Sequence, residues 1–471
     1  MLTLKTMRGA VWSVAARTSS RVIDLATLLV LARLLSPADF GLTAIAASLV
    51  AIVEMVLEVP LVQALMRLRR IEPSHLDTAF TLGLLRGGII AVMMMLAAWP
   101  VAHIYGDSRL VVLILVLALG PITRSLYSPA MVTFFRDLDF RVSFITDFSG
   151  KIIAALLSVA TLYAGGGYWA LVVNPVVSSL MPTILSYVYA PYTPKLSLEK
   201  LRDFSAFTGW YTASQILSAF SWQYDRVFLG YNVEKAVLGR YSLASDFSVM
   251  PTQSLIGPAM RPVMAAFATM ADDRRRLRLS FLKAARLTMF IALPAGIGIA
   301  LTADQIVNVV LGSQWSSAAV YLRWLSLAVM FTAYYQPVSS LCLAVDEPNL
   351  LLKINIIEAA VKLPLITVAF YAGGLLVMLY VRVLAAIVHF LISAWFAQRV
   401  VGASIAVQIV SLWQVVLSCL LMSAAVLILQ EGLLRVDIGS FGALVALILC
   451  GAIVYAGSMH VCGFRLASLR Q

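Results

Sequence analysis

The chain is poor in the residues that build most chemistry. Its 471 residues include four cysteines and four histidines, and only 12% are charged. Cys342, Cys419, Cys450 and Cys462 lie in or at the ends of apolar runs, with no CxxC spacing. That pattern excludes a disulfide framework or a thiolate metal site and reads as small buried hydrophobes. His75, His103, His389 and His460 are scattered and form no ligand set. There is no HExxH, no GxSxG, no Walker loop and no DxD-type metal motif on a polar segment. No catalytic residue, metal site or cofactor is therefore expected. A cleavable signal peptide is not expected either, because the first apolar segment is too long and carries arginines where a signal core is uncharged.

What fills the chain instead is hydrocarbon. Hydrophobic residues make up 61% of it, and the mean hydropathy is +0.92. A chain of this size and apolarity is an all-α polytopic membrane protein. Apolar spans of about bilayer length fall near 9–34, 41–66, 78–104, 109–133, 143–164, 168–190, 207–231 and 238–267. A second set falls near 284–303, 318–345, 350–372, 375–398, 406–430 and 440–462, which makes fourteen.

The net charge of +12 fits the positive-inside rule and attraction to anionic lipid headgroups, and no nucleic-acid partner is expected. With the N-terminus in the cytosol, Arg67, Arg69, Arg70, Arg136, Arg141, Arg274, Arg275, Arg276, Arg278 and Arg399 all fall on inside ends. The outside loops carry only Arg109, Lys235 and Arg435. Both termini are thereby predicted to be cytosolic. The longest outside loops, 304–317 and 431–440, are too short to build a site for an outside substrate.

The chain repeats itself. Residues 143–173 align without gaps on 351–381, sharing TyrAlaGlyGly at 163–166 and 371–374. Six helices separate the copies, so the two halves have the same membrane orientation and are related by an axis along the membrane normal. The expected division is an N-terminal six-helix lobe (1–195), a C-terminal six-helix lobe (196–400) and two accessory helices (401–471). The charged linker 191–204 carries the boundary between the lobes.

Charges inside the spans are the sharpest functional signal. Arg17, Arg21 and Asp24 fall on one face of the first helix, and Glu54 and Glu58 are one turn apart on the second. Arg86, Arg124, Asp147 with Lys151, Asp225 with Arg226, Glu358 with Lys362, and Arg382 follow. A charge at the bilayer centre costs from about 3 to over 10 kcal/mol, so such residues face a protein interior or a wet cavity. Asp147–Lys151 and Glu358–Lys362 read as self-neutralising i,i+4 pairs, and Arg86 and Arg382 as snorkelling near helix ends.

Two readings stand for the remainder. Arg17, Arg21 and Arg226 bind a phosphate or diphosphate, with Asp24, Glu54, Glu58 and Asp225 as cavity charge or gating residues. Alternatively, part of the set is a salt-bridged gate between helices one and two. Trp210, Tyr211, Trp222 and Tyr224 are glycan-lining candidates, against packing and an interfacial aromatic belt.

VLARLLSPADFGL (30–42) and YDRVFLGYNVEKAVLGRYSLASDF (224–247) resemble matching passages of bacterial polysaccharide exporters. With the repeat, the chain resembles the multidrug/oligosaccharidyl-lipid/polysaccharide exporter superfamily, in its Wzx-type flippase branch. The resemblance implies two six-helix bundles in a V-shaped, alternating-access arrangement. It also implies export of polyprenyl-diphosphate-linked oligosaccharide across the bacterial inner membrane for O-antigen, capsule or exopolysaccharide. By position in that resemblance, Arg17 and Arg21 meet the diphosphate. Many such flippases have twelve helices, whereas fourteen matches the lipid II flippases, so peptidoglycan-precursor flipping is the alternative. Multidrug efflux predicts an acidic or apolar cavity, which the arginines oppose. A polysaccharide polymerase or ligase needs a large outside loop. The implied partners are the lipid-linked substrate, anionic lipids and other polysaccharide assembly proteins. With no ATP site, the drive is an ion gradient (H+ or Na+), membrane potential or substrate gradient.

Overall fold

The computed structural model describes residues 19–57, 61–68, 71–136, 139–201, 204, 210–433 and 439–462. Every regular element among them is helical, as the bilayer requires of a chain whose backbone polar groups must be satisfied within each span. Among the described residues nine helices are long and apolar enough to cross a membrane, or ten if one bent pair counts as a span. The chain divides into two compact units, Met1–Gly239 and Arg240–Gln471.

The first unit holds α1 (19–34), α2 (Pro37–Val56), α3 (Pro73–Ile104), α4 (Arg109–Ser125), α5 (Arg141–Tyr163), α6 (Trp169–Tyr189) and α7 (Trp210–Asn232). It thus takes in the helix that opens the second half of the sequence. The SPAD sequence after α1 is a helix start. Ser36 is the N-cap, its side chain accepts from the Asp39 N–H, and Asp39 accepts in return from the Ser36 N–H. Pro37 occupies the first helical turn, where a missing N–H costs nothing. Beyond α4 the chain bends by 54° into Pro129–Arg136.

Small residues let these helices approach closely, as in other membrane bundles. Where α2 meets the start of α8 (Lys235–Pro251), a Cβ built on Gly41 would lie 1.8 Å from the Lys235 carbonyl oxygen. One on Gly239 would lie 1.8 Å from the Pro37 carbonyl oxygen.

A polar strap follows α6 and is sewn to the start of α3. The Tyr192 hydroxyl donates to Asp77 at 2.5 Å, and the Ser197 N–H donates to Thr81 Oγ1 at 2.9 Å. Lys200 Nζ reaches Glu72 at 3.0 Å. Phe204 closes the strap by packing with Leu65, Ala79 and Val132.

In the second unit α8 passes through a π-helical turn (Thr252–Ile256) into Gly257–Ala268. Then come α9 (Arg274–Leu301), α10 (Ala318–Thr332), α11 (Tyr335–Ala344), α12 (Pro348–Val401), α13 (Trp413–Leu433) and α14 (Ser440–Val461). A 54-residue helix would run about 80 Å if straight, far beyond a bilayer. It is not straight. Gly373 (φ −157°) and Gly374 (φ 74°) are non-helical and split α12 into limbs 348–372 and 375–401. These limbs match the two spans expected there, and Gly374 sits in the left-handed region that favours glycine.

The 304–317 connection is packed, not extended. It is made of short helical turns ending at Trp315, which is fully buried. The α13–α14 pair packs on α9, and the Tyr455 hydroxyl donates to the Phe290 carbonyl at 2.9 Å.

Candidate functional site

The first unit gathers its intramembrane charges into two networks. In one, Lys151 of α5 donates to Asp24 of α1 at 2.6 Å. Both side chains stay partly open, 26% and 34% exposed. Asp24 lies ten residues below the end of α1, about 15 Å along the axis. Lys151 lies at a comparable depth on α5. The pair therefore sits well inside the span, where an unpaired charge is expensive. Asp147, the i,i+4 neighbour expected to neutralise Lys151, instead has Ser143 within 3.5 Å.

In the second network Arg124 of α4 is the hub. Its Nη1 lies 2.5 Å from Glu54 Oε1 on α2, and its Nη2 donates to Ser179 Oγ on α6 at 2.9 Å. Arg86 of α3 donates to the Glu54 main-chain carbonyl at 3.2 Å. The Arg124 side chain remains 56% exposed. A guanidinium has five donors in a planar fork, so Arg124 can hold Glu54 and Ser179 and still present N–H groups to an anion. Ser179 is held in turn because its hydroxyl donates to the Pro175 carbonyl at 3.0 Å.

The remaining sequence candidates divide. Arg17 and Glu58 lie outside the described residues, as do the side chains of Trp210 and Tyr211. Arg21 is exposed and makes no ion pair among the described residues. Asp225 is 2% exposed on α7, beside the half-buried Arg226. Tyr224 stacks on Phe228 (5.7 Å between centroids) and contacts Phe220 (6.0 Å). Trp222 is two residues from Tyr224, about 200° around the helix, and is 41% exposed. Trp222 and Tyr224 therefore belong to different faces of α7.

No gate of paired charges joins α1 to α2 among the described residues: Asp24 pairs with α5, and Glu54 with α4. Arg86 does not snorkel out but reaches back to the backbone of α2. Arg124, Lys151 and Ser179 complete the site without having been argued into it from the sequence. Arg124 and Lys151 were visible only as charges within spans, and Ser179 carried no signal at all.

At the end of α3 a third cluster lies outside the spans. Asp107 accepts from Arg109 at 2.8 Å and is also held by Lys235 Nζ. Arg109 beside it, with Lys235, holds the Asp107 carboxyl well below the usual carboxylate range. The Tyr105 hydroxyl donates to the Val227 carbonyl of α7 at 2.9 Å. Among the described residues no group of three or more His, Cys, Asp or Glu is placed to hold a metal ion.

Comparison with known proteins agrees with this architecture. The family model described as "Polysaccharide biosynthesis protein" matches residues 30–320. The chain is 23% identical over 418 residues to the lipopolysaccharide biosynthesis protein WzxC of Escherichia coli K12, covering 87% of this chain and 84% of that one. It is 25% identical over 323 residues to the succinoglycan biosynthesis transport protein ExoT of Rhizobium meliloti, covering 68% and 65%. Among solved structures it is similar to the lipid II flippase MurJ in an inward closed conformation. There the TM-score is 0.73 at 14% identity, with 97% and 98% of the two chains covered.

Proposed function

Because the chain belongs to the polysaccharide biosynthesis protein family, we propose that it moves a polyprenyl-diphosphate-linked oligosaccharide across the bacterial inner membrane. The product would feed O-antigen, capsule or exopolysaccharide assembly. The observation that carries this reading is the pair of ion-paired cations inside the first unit, Lys151 on Asp24 and Arg124 on Glu54. Each acidic partner compensates its cation's charge and holds it in place. An arriving diphosphate, with a higher charge and more acceptor oxygens, competes for the same donors. Arg21, exposed two residues after the start of the described helix, adds a further cation, and Arg17 is assigned the same role from its position in the sequence alone. Arg226 is the α7 contribution to the same role. Asp24, Glu54 and Asp225 tune the cation positions.

In this reading residues 1–195 and 196–400 are the two transport lobes, 401–471 are accessory, and both termini are cytosolic. The membrane-bound substrate lipid and anionic headgroups are its partners, alongside other polysaccharide assembly proteins.

The test is a gene deletion with two readouts, surface polysaccharide and the inner-membrane pool of polyprenyl-diphosphate glycans. Lost polysaccharide with accumulated complete lipid-linked units on the cytosolic leaflet supports export. Unchanged polysaccharide overturns it. The second reading, lipid II flipping, is favoured by the full-length likeness to MurJ, which extends through the last two helices. It predicts stalled cell-wall precursor in the same strain.

A further inference from the structure

The last turn of α12 carries a cation turned back toward the span. Arg399 follows Trp395 by four residues. Its Cζ lies 3.6 Å from the centre of the Trp395 ring and 6.0 Å from that of Phe396. A long cation at the end of a span ordinarily snorkels outward to water. Contact with an indole recovers only part of that hydration. The ring holds the guanidinium in place but supplies no oxygen acceptor for its N–H groups. Among the described residues Arg399 donates no hydrogen bond and forms no ion pair.

The surface that Arg399 completes is built to meet hydrocarbon. Leu384, Leu391, Trp395 and Arg399 are spaced i, i+7, i+11, i+15, within about 80° of one another around the helix. All four are exposed. The limb that carries them begins just after Gly374 and rises about 36 Å to Arg399, against about 30 Å of hydrocarbon in a bilayer. Arg399 therefore falls at the level of the headgroup phosphates. Just beyond it, Val407, Ile409, Val410 and Trp413 extend the exposed apolar surface.

A second cation meets the same helix end. Arg274 opens α9, and its Nη2 lies 3.4 Å from the Arg399 carbonyl oxygen. Its Nε lies 3.8 Å from where a Cβ on Gly402 would stand. By itself Arg274 is a cap on the final carbonyls of α12. With Arg399 it makes two guanidiniums on one turn. The neighbouring carboxylates do not neutralise them. Asp273 accepts from the Arg275 and Arg276 N–H groups and lies 3.4 Å from Arg276 Nε. Neither Asp272 nor Asp273 pairs with Arg274 or Arg399 among the described residues.

An anion suited to this corner has a phosphate beside hydrocarbon. A free phosphate gains nothing from Trp395 and Leu391. A zwitterionic headgroup brings its own ammonium to a corner that is already cationic. We propose that Arg399 and Arg274 bind the phosphate of an anionic phospholipid of the phosphatidylglycerol type, whose acyl chain lies along Trp395, Leu391 and Leu384. The bound lipid ties the end of α12 to the start of α9. Net charge alone calls for diffuse attraction to headgroups; this geometry holds one lipid at a fixed place. Assigning that lipid to the cytosolic leaflet rests on the topology proposed above, whereas the site itself does not.

The full chain in nanodiscs of phosphatidylcholine, with and without phosphatidylglycerol, gives the test. Phosphatidylglycerol should raise the melting temperature of the wild type by several degrees. Arg399→Gln and Arg274→Gln should each lose at least half of that gain, whatever their melting temperature in phosphatidylcholine alone. Lys283→Gln, which changes an exposed cation further along α9, should keep it. Native mass spectrometry should show phosphatidylglycerol retained on the wild type roughly fivefold or more above Arg399→Gln. A full gain in Arg399→Gln, an equal loss in Lys283→Gln, or the same gain from inorganic phosphate without phosphatidylglycerol overturns the site. Labelling of Arg399→Cys by an impermeant maleimide from outside intact cells overturns the leaflet assignment, and with it the topology, while the lipid-dependent gain stands.

Discussion

Lys151 Nζ lies 2.6 Å from Asp24 Oδ1, joining α5 to α1 across 127 residues of chain, while Asp147, one turn from Lys151, is left to Ser143. A lysine held by a carboxylate on a different helix is a tertiary clamp as well as a charge. It fixes the distance between two helices well inside the span, while leaving both side chains partly open.

That clamp predicts asymmetry between its partners. Lys151→Ala leaves Asp24 unpaired inside the span and removes a donor for the substrate, so export should fall by roughly tenfold or more. Asp24→Asn keeps the lysine and should cost less. The double swap Asp24→Lys with Lys151→Asp should restore protein levels in the membrane. Export assays normalised to membrane protein check all three, and equal export by Lys151→Ala and wild type would remove Lys151 from the site.

The arginines of α1 are tested separately. Arg17→Ala and Arg21→Ala should each reduce export by roughly tenfold, about 1.4 kcal/mol of lost interaction. Arg21→Ala should leave the protein level unchanged, since Arg21 is exposed and makes no ion pair among the described residues. Full export in both variants would mean that the diphosphate is held elsewhere, with Arg124 as the next residue to change.

Asp107 gives a pH dependence with a definite sign. Its folded-state pKa is depressed by Arg109 and Lys235. The stability it contributes is therefore fully present above the unfolded value of about 3.9 and is lost as pH falls through the folded one. The melting temperature of wild type should exceed that of Asp107→Asn by a constant margin from pH 5 to 8. The margin should shrink only below about pH 4. A margin that varies between pH 5 and 8 would mean that another group controls this end of the bundle.

Gly239→Ala, with Gly41→Ala, should be among the most disruptive single methyl additions in the first unit. Its Cβ would meet the Pro37 carbonyl oxygen at 1.8 Å, a backbone atom that cannot rotate away. Overpacking of this kind costs about 1–3 kcal/mol, and more where backbone must shift. Gly88→Ala on α3, where nothing lies within 4 Å, is the matched control. Thermal melts of the purified proteins should separate the two by several degrees.

The all-helical, many-span architecture was legible in the sequence because a bilayer imposes one length and one polarity on every crossing, although nine or ten of the described helices, against fourteen expected spans, are long and apolar enough to cross. The TyrAlaGlyGly motif likewise announced the break in α12, since Gly374 adopts a positive φ that other residues resist. Pairing of charges was less legible. Asp147 and Glu358 look equally good as i,i+4 partners for a lysine. Only tertiary packing decides that Lys151 turns to Asp24 while Lys362 stays near Glu358. Ser179 could not be found from sequence, because a serine in a span carries no signal until a guanidinium from another helix reaches it. That Trp222 and Tyr224 stand on different faces of α7 follows from helical geometry alone.

The strap from Tyr192 to Phe204 has an implication for how the protein is made. Its partners, Glu72, Asp77, Thr81, Leu65, Ala79 and Val132, are all upstream in the chain. Every contact that seats the strap can form while the ribosome is still synthesising α7. The first six helices can therefore be tied off on one side of the membrane before the rest of the chain is inserted, which limits how long their polar networks stand open to mispairing with later segments.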